Sequence, residues 1–260
     1  MPPPERRPKH TPKRRRVRRT LLTLLAGVVV VLGTTAAVLL TPSPVEDSEV
    51  AAVRADPAVR VIDHNGYIAL LPADGSAETG MIFYPGARTV AEAYLPSWAP
   101  IVEATGVAVY LADMPFGFAT FRPDAAADIV SAEPAVASWW IGGHSLGGIT
   151  AARYVDAHAG FDGLLLWAAF PEEEVALEDT PGLEVLAITG SRDEIVPTGV
   201  VRERLGASGV NSDVIEVEGM EHSQFGAYRS IFGDGDPTIS DDEARRSVAE
   251  ITEGFLRSAR

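Results

Sequence analysis

The stretch GHSLGG at residues 143–148 decides the fold class of this sequence. An apolar run at residues 137–141 precedes it and predicts a short buried strand, and residues 149–155 follow it and predict a helix. Strand, G-x-S-x-G turn and helix together predict a nucleophile elbow. Such a turn exposes the Ser145 hydroxyl at the edge of a sheet, beside a helix N-terminus that favours developing negative charge. An ordinary glycine-rich turn between a strand and a helix is the alternative.

Strands and helices alternate through the rest of the chain. The runs at residues 59–62 and 67–71 predict a hairpin around Asn65-Gly66. Further strands are predicted at residues 81–84, 107–111, 163–167, 183–189 and 212–217, and further helices at residues 91–104, 124–132, 198–205 and 241–258. Two prolines predict a break in the first of these helices. Continuous apolar strands that alternate with helices indicate the α/β class, with a mostly parallel sheet covered by helices on both faces.

The first 57 residues divide into three predicted segments. Residues 1–20 contain nine Lys or Arg residues and one Glu, whereas residues 21–40 carry no charge and are long enough, at about 30 Å as a helix, to cross a hydrocarbon core. We predict a basic cytoplasmic tail at residues 1–20, a transmembrane anchor at residues 21–40 and a tether at residues 41–57. The folded domain, residues 58–260, would then face outward. A cleaved signal peptide is the alternative.

The composition excludes several classes of function. The chain contains no cysteine, so disulfides, thiol nucleophiles and cysteine-based metal sites are excluded. The net charge is −14 despite the basic tail, so we expect no nucleic-acid partner and assign the tail to lipid headgroups. We expect no metal or organic cofactor. The stretch GDGDP at residues 233–237 lacks the acidic spacing of a calcium loop and predicts a turn. The sequence leaves the oligomeric state open.

A serine nucleophile needs a base, and that base needs an acid to orient it. Among five histidines, His222 directly follows the last predicted strand, at the same carboxyl edge of the sheet as Ser145. The other four lie in less suitable places: the basic tail (His10), the first hairpin (His64), the turn itself (His144) and the end of the next helix (His158). Asp193, which also follows a strand, is the predicted acid, and Glu194 is a weaker alternative. The predicted catalytic residues are therefore Ser145, Asp193 and His222.

An oxyanion hole requires two backbone donors that point at a tetrahedral intermediate. One predicted donor is the N–H of Leu146, the residue after Ser145. The second should come from the turn that follows the strand at residues 81–84. Pro85 has no N–H, so Ala87 is the predicted donor, and Gly86 and Arg88 remain open. A plain turn without a functional role is the alternative here.

Five separated motifs occur in an order that resembles one known family. They are YPG at residues 84–86, DMPF at 113–116, GGHSLGG at 142–148, GSRD at 190–193 and HSQFG at 222–226. The chain resembles the bacterial "alpha/beta hydrolase fold-five" group, which is distantly similar to dienelactone hydrolases. The resemblance implies the α/β-hydrolase fold and supports the roles of Ser145, Asp193 and His222. Dienelactone hydrolases use a cysteine nucleophile, so serine at this position argues against that particular activity.

The leading expectation for function is therefore a membrane-tethered serine hydrolase that acts on small-molecule carboxylic esters or lactones through an acyl-enzyme. Nothing in the sequence indicates an extended edge for binding peptides. Two alternatives stay open at this point. The domain could be a catalytically inactive, hydrolase-like module that binds a surface, or an acyltransferase to a sugar or lipid acceptor, in which an alcohol takes the place of water.

Overall fold

An eight-stranded sheet forms the frame of the protein in the computed structural model, which describes Leu22, residues 41–229 and residues 233–258. The strands are β1 (Val59–His64), β2 (Tyr67–Pro72), β3 (Thr79–Tyr84), β4 (Ala108–Ala112), β5 (Ser138–His144), β6 (Gly163–Trp167), β7 (Glu184–Gly190) and β8 (Ser212–Val217). Their spatial order is β1-β2-β4-β3-β5-β6-β7-β8. β2 pairs antiparallel with β1 and with β4, and every other pair is parallel. The predicted α/β fold with a mostly parallel sheet is confirmed.

The helices of the described residues fill the connections between these strands. They are α1 (Asp47–Arg54), α2 (Leu95–Thr105), α3 (Ala125–Ala132), α4 (Leu146–Ala157), α5 (Thr198–Ala207) and α6 (Asp241–Ser258). Short 3-10 segments lie at Ala91–Tyr94, Pro115–Gly117, Ala119–Phe121, Leu177–Asp179 and His222–Phe225. α2 packs against α1 and α6, and α4 packs against β5 and β6.

Adjacent residues of β3 show that helices cover both faces of the sheet, because consecutive side chains of a strand point to opposite faces. The Phe83 ring packs against Trp98 of α2, with ring centroids 5.3 Å apart. The next residue, Tyr84, accepts the backbone N–H of Ala126 in α3 at 2.8 Å. The β3 strand therefore lies between α2 on one side and α3 on the other.

Large aromatic side chains link the core to the carboxyl edge of the sheet. The rings of Trp98 and Trp167 stack with centroids 4.9 Å apart, and Phe83 lies 4.7 Å from Trp167. Phe225, a fully buried residue of the 3-10 segment His222–Phe225, stacks on Trp167 at 5.8 Å. Aromatic burial therefore anchors the segment that carries His222 to the end of β6.

The segment predicted as a tether, residues 41–57, contains regular secondary structure. These residues contain α1, whose Val50 is buried. Before α1, Val45 forms an isolated β-bridge with Tyr228. Asp47 in the first turn and Arg54 in the last turn suit the dipole of this helix. The eight-residue helix buries only Val50, and a single buried residue gives no helical repeat that could be recognised in the sequence.

The helix predicted at residues 91–104 is divided, as expected, although the division does not fall at a proline. A 3-10 turn ends at Tyr94, and α2 begins at Leu95. Pro96 lies in the first turn of α2, where its missing N–H is not needed, and Pro100 lies inside the helix. Tyr94, at the junction, is fully buried.

From Pro42 onward the described residues form one compact unit, and all the elements above belong to it. The predicted membrane anchor at residues 21–40 lies outside the described residues, except for Leu22. Within the described part of the chain, no helix has the length and apolar character needed to cross a bilayer.

Candidate active site

Ser145 connects β5 to α4 in a strained turn. Its φ of 51° and ψ of −124° are values that residues other than glycine rarely adopt. A Cβ at Gly143 would lie 2.5 Å from the carbonyl carbon of Gly147, and a Cβ at Gly147 would overlap the carbonyl oxygen of Tyr84. The Ser145 N–H donates to the carbonyl of Trp167 at 2.9 Å. Close packing therefore requires glycine on both sides and holds the serine at the carboxyl end of β5.

Asp193 and His222 form a buried pair. Nδ1 of His222 lies 2.8 Å from Oδ2 of Asp193, and the Asp193 side chain is fully buried. The other carboxylate oxygen, Oδ1, accepts the backbone N–H groups of Ile195 at 2.9 Å and Val196 at 2.6 Å. An ionised carboxylate only accepts hydrogen bonds, so the His222 proton lies on Nδ1 and leaves Nε2 free to accept one. Glu194, the alternative acid, is exposed.

Asp234 joins the two loops that carry this pair. Its Oδ2 accepts the His222 N–H at 2.5 Å, and its Oδ1 accepts the Glu194 N–H at 3.2 Å. A Cβ at Gly235 would overlap the carbonyl oxygen of Arg192, so this segment packs directly on the loop after β7. The described residues contain no group of side chains that could hold a metal ion, and this segment instead positions the loops after β7 and β8.

Ser145 and His222 line a common cavity of about 180 Å³. The rest of its wall comes from Ser43, Gly86, Ala87, Arg88, His144, Ile195, Ser223 and Tyr228. Among the described residues, the Ser145 hydroxyl makes no hydrogen bond, so the serine and the imidazole share the cavity without a direct bond. Hydrogen bonds between catalytic groups are often long in the absence of substrate and shorten when substrate binds.

The backbone N–H groups near Ser145 distinguish the three candidates for the second oxyanion donor. The Gly86 N–H donates to the Tyr94 hydroxyl at 3.0 Å, and the Arg88 N–H donates to the carbonyl of Gly117 at 2.6 Å. In the part of the chain that the structure describes, the Ala87 N–H makes no hydrogen bond. The N–H of Leu146, the first residue of α4, has no partner within the helix. The backbone N–H groups of Ala87 and Leu146 are therefore available to donate hydrogen bonds to a substrate oxygen.

His144 contributes a buried imidazole to the wall of the cavity. Its Nδ1 lies 2.9 Å from the Tyr94 hydroxyl, and its ring centroid lies 4.6 Å from that of His222. Burial, and then the nearby His222, lower the pKa of His144 well below 6.5. Burial also raises the pKa of Tyr94, so its hydroxyl stays protonated. A neutral His144 therefore supports Tyr94, whose hydroxyl in turn holds the turn at Gly86.

The lowered pKa of His144 predicts that stability depends on pH. Below pH 6.5 the unfolded chain binds a proton at this residue that the folded chain does not, so the free energy of unfolding should fall as the pH decreases from about 6.5. One such group contributes at most about 1.4 kcal/mol per pH unit. His144→Asn, which keeps a polar atom near Tyr94, should reduce this slope in urea titrations at pH 7, 6 and 5.

The exposed His158, at the C-cap of α4, provides the matched control for that measurement. If His158→Asn reduced the slope as much as His144→Asn, the pH dependence would not arise from the buried site.

Ser43, Tyr94 and Asp234 are among the residues of this site that the sequence analysis missed. Each acts on a partner far away in the chain: Ser43 on Arg88, Tyr94 on His144, and Asp234 on the loop after β7. The Asp-Gly pair at residues 234–235 signalled a turn, but no sequence pattern signalled what the aspartate would bind.

The sequence model of the alpha/beta hydrolase family matches residues 80–246, more than half of the chain. The protein therefore belongs to the alpha/beta hydrolase family, and the resemblance derived from the five motifs is confirmed. A sequence comparison with curated proteins finds no match.

Solved structures with the same fold include several esterases. An esterase from Thermogutta terrifontis is 17% identical with a TM-score of 0.55, over 78% of this chain and 92% of that one. A Pseudomonas putida esterase is 15% identical with a TM-score of 0.58, over 82% and 88% of the two chains. A Pyrobaculum calidifontis esterase is 15% identical with a TM-score of 0.57, over 82% and 91%. At these identities the similarity establishes the fold alone.

Proposed function

We propose that this protein is a serine hydrolase that cleaves carboxylic esters or lactones through an acyl-enzyme. One observation carries the proposal: the buried Asp193–His222 pair opens into the same cavity as a serine held in a strained turn. A strained backbone conformation that the surrounding packing maintains is typical of a functional site. A plain turn would not need it.

In the proposed mechanism, Ser145 attacks the substrate carbonyl carbon as Nε2 of His222 takes the hydroxyl proton. Asp193 holds the imidazole through Nδ1 and stabilises the positive charge that develops on it. The serine hydroxyl and the imidazole make no direct hydrogen bond here, so substrate binding must bring them into contact. His222 then gives the proton to the leaving alcohol, or to the ring oxygen when the substrate is a lactone.

In this mechanism the N–H groups of Leu146 and Ala87 donate hydrogen bonds to the negatively charged oxygen of the tetrahedral intermediate. Both donors are available, whereas the N–H groups of Gly86 and Arg88 already have acceptors. A water molecule, deprotonated by His222, attacks the acyl-enzyme in the second half of the reaction and releases the acid. Each N–H donor of this kind contributes roughly a hundredfold to a thousandfold in turnover.

Two observations favour esters over other acyl compounds as the proposed substrates. The three structural neighbours named above are esterases, and the one from Thermogutta terrifontis has been captured with butyrate and with propionate bound. That neighbour also reacts with an organophosphorus compound, since it has been captured phosphoramylated by tabun. The cavity beside Ser145 is small enough to suit acids of that size.

A fluorophosphonate probe, which labels activated serines, tests this proposal directly. The full chain should be labelled, Ser145→Ala should lose the label, and Ser48→Ala, at an exposed serine of α1, should keep it. The absence of a label in all three proteins would favour an inactive binding module over an enzyme.

We further propose that residues 21–40 anchor the protein in the cell membrane as a single pass, with the catalytic domain outside the cytoplasm. The support is the order of a basic block, an uncharged apolar run and an acidic domain in the sequence. Protease added to intact cells should digest the domain. Complete protection of the domain while the envelope is intact would contradict the outward orientation.

A further inference from the structure

The residues that follow Thr41 form a strap, here defined as residues 42–46, along the rim of the candidate active site. The Ser43 N–H donates to the carbonyl of Arg88 at 2.7 Å, in the loop that also carries Ala87. The Glu46 N–H donates to the carbonyl of Ala227 at 2.9 Å. The strap is therefore held by backbone hydrogen bonds to the oxyanion loop, here defined as residues 85–88, at one end and to the chain after His222 at the other.

Further contacts fix the middle of the strap. The Arg229 N–H donates to the carbonyl of Pro44 at 3.0 Å, and Val45 forms a β-bridge with Tyr228. The side chain of Arg229 adds a surface ion pair with Glu46 at 2.8 Å. Backbone pairing on both sides of Val45 keeps the strap in one register, so the position of Ser43 is determined.

Ser43 is buried, at 8% exposure, and lines the cavity that Ser145 and His222 share. The cavity volume of about 180 Å³ is below the roughly 300–1,000 Å³ of pockets that hold drug-sized ligands. Through Ser43, the strap therefore contributes part of the wall of a small space. A larger side chain at residue 43 would reduce that space directly.

This space suits the acyl group of an ester better than the alcohol group. The acyl group stays attached to Ser145 after the first half of the reaction, whereas the alcohol must leave and be replaced by water. An enclosed wall around the acyl group does not impede that exchange. Ser43 lies on the side of the oxyanion loop, because its backbone is bonded to Arg88.

We propose that the strap is the wall that limits the length of the acyl chain, and that Ser43 determines the limit. The inference rests on the proposed ester hydrolysis at Ser145. It assigns short-chain acyl esters as the substrate class. It also assigns a function in substrate selection to residues that directly follow the predicted membrane anchor.

The test measures kcat/KM of the full chain in detergent for p-nitrophenyl esters from acetate to octanoate. Ser43→Leu should lower the ratio of butyrate to acetate by about tenfold or more, because one methylene of fit in an apolar pocket changes kcat/KM by about 10–200-fold. Ser43→Gly should act in the opposite direction and raise the ratio of hexanoate to butyrate by a similar factor. Opposite shifts cannot arise from a general loss of folding.

Ser48→Leu, at an exposed position of the adjacent helix, is the matched control and should keep the wild-type profile. The inference is overturned if both Ser43 variants keep the wild-type acyl profile. It is also overturned if the variants change kcat/KM only for a series of acetate esters whose alcohol groups differ in size. Ser145→Ala in the same assay separates the two proposals. If Ser145→Ala remains active, the proposed function fails. If Ser145→Ala is inactive and the Ser43 profiles are unchanged, only the assignment of the strap fails.

Discussion

Replacement of Ser145 by alanine is expected to lower kcat for ester hydrolysis by roughly four to six orders of magnitude. The hydroxyl is the atom that we expect to bond to the substrate, and alanine offers nothing in its place. The proposed oxyanion donors and the shape of the cavity remain in this variant, so we expect a slow reaction with water to persist. Steady-state kinetics with a short-chain ester measure the loss, and a thermal unfolding curve shows whether the fold is intact.

Ser223 provides the control, because it lines the same cavity and its hydroxyl contacts Glu221. Ser223→Ala should reduce turnover far less than Ser145→Ala, since its hydroxyl is already engaged with a carboxylate. A loss of less than tenfold in Ser145→Ala would rule out Ser145 as the nucleophile, however well the variant folds.

Asp193→Asn is expected to lower kcat by about 10⁴-fold with little change in KM. The amide oxygen would take over the N–H groups of Ile195 and Val196, and the amide NH₂ would then face Nδ1 of His222. The imidazole would have to accept a hydrogen bond at Nδ1 and carry its proton on Nε2. An Nε2 that carries a proton cannot accept the proton of Ser145, so the base would be present in the wrong tautomer.

Glu194 is the matched control for this substitution, because it is the adjacent acid and its side chain is exposed. Glu194→Gln should retain most of the activity, and surface substitutions of this kind usually change stability by no more than about 0.5 kcal/mol. If instead Glu194→Gln lost activity and Asp193→Asn kept it, the acid would be Glu194, and the geometry of the buried pair would have no catalytic meaning.

Much of the fold was predictable because its signals are local. The strands at residues 163–167 and 212–217 and the helix at residues 241–258 have the bounds that the sequence predicts. Apolar runs between turn residues mark the buried strands, and apolar residues at helical spacing mark α6. The short helix α1 was missed because eight residues that bury only Val50 do not form a detectable period.

The sequence by itself determined the α/β class, the strained serine turn and the chain order of Ser145, Asp193 and His222. Those features depend on local spacing and on glycines beside the serine. The tertiary structure alone decided that Asp193 rather than Glu194 lies against His222, that Ala87 keeps an unused N–H, and that Ser43 lines the cavity. The physical reason is that a hydrogen bond forms only between groups that the folded chain brings close together. The partners here are separated by tens of residues, so no local pattern encodes the pairing.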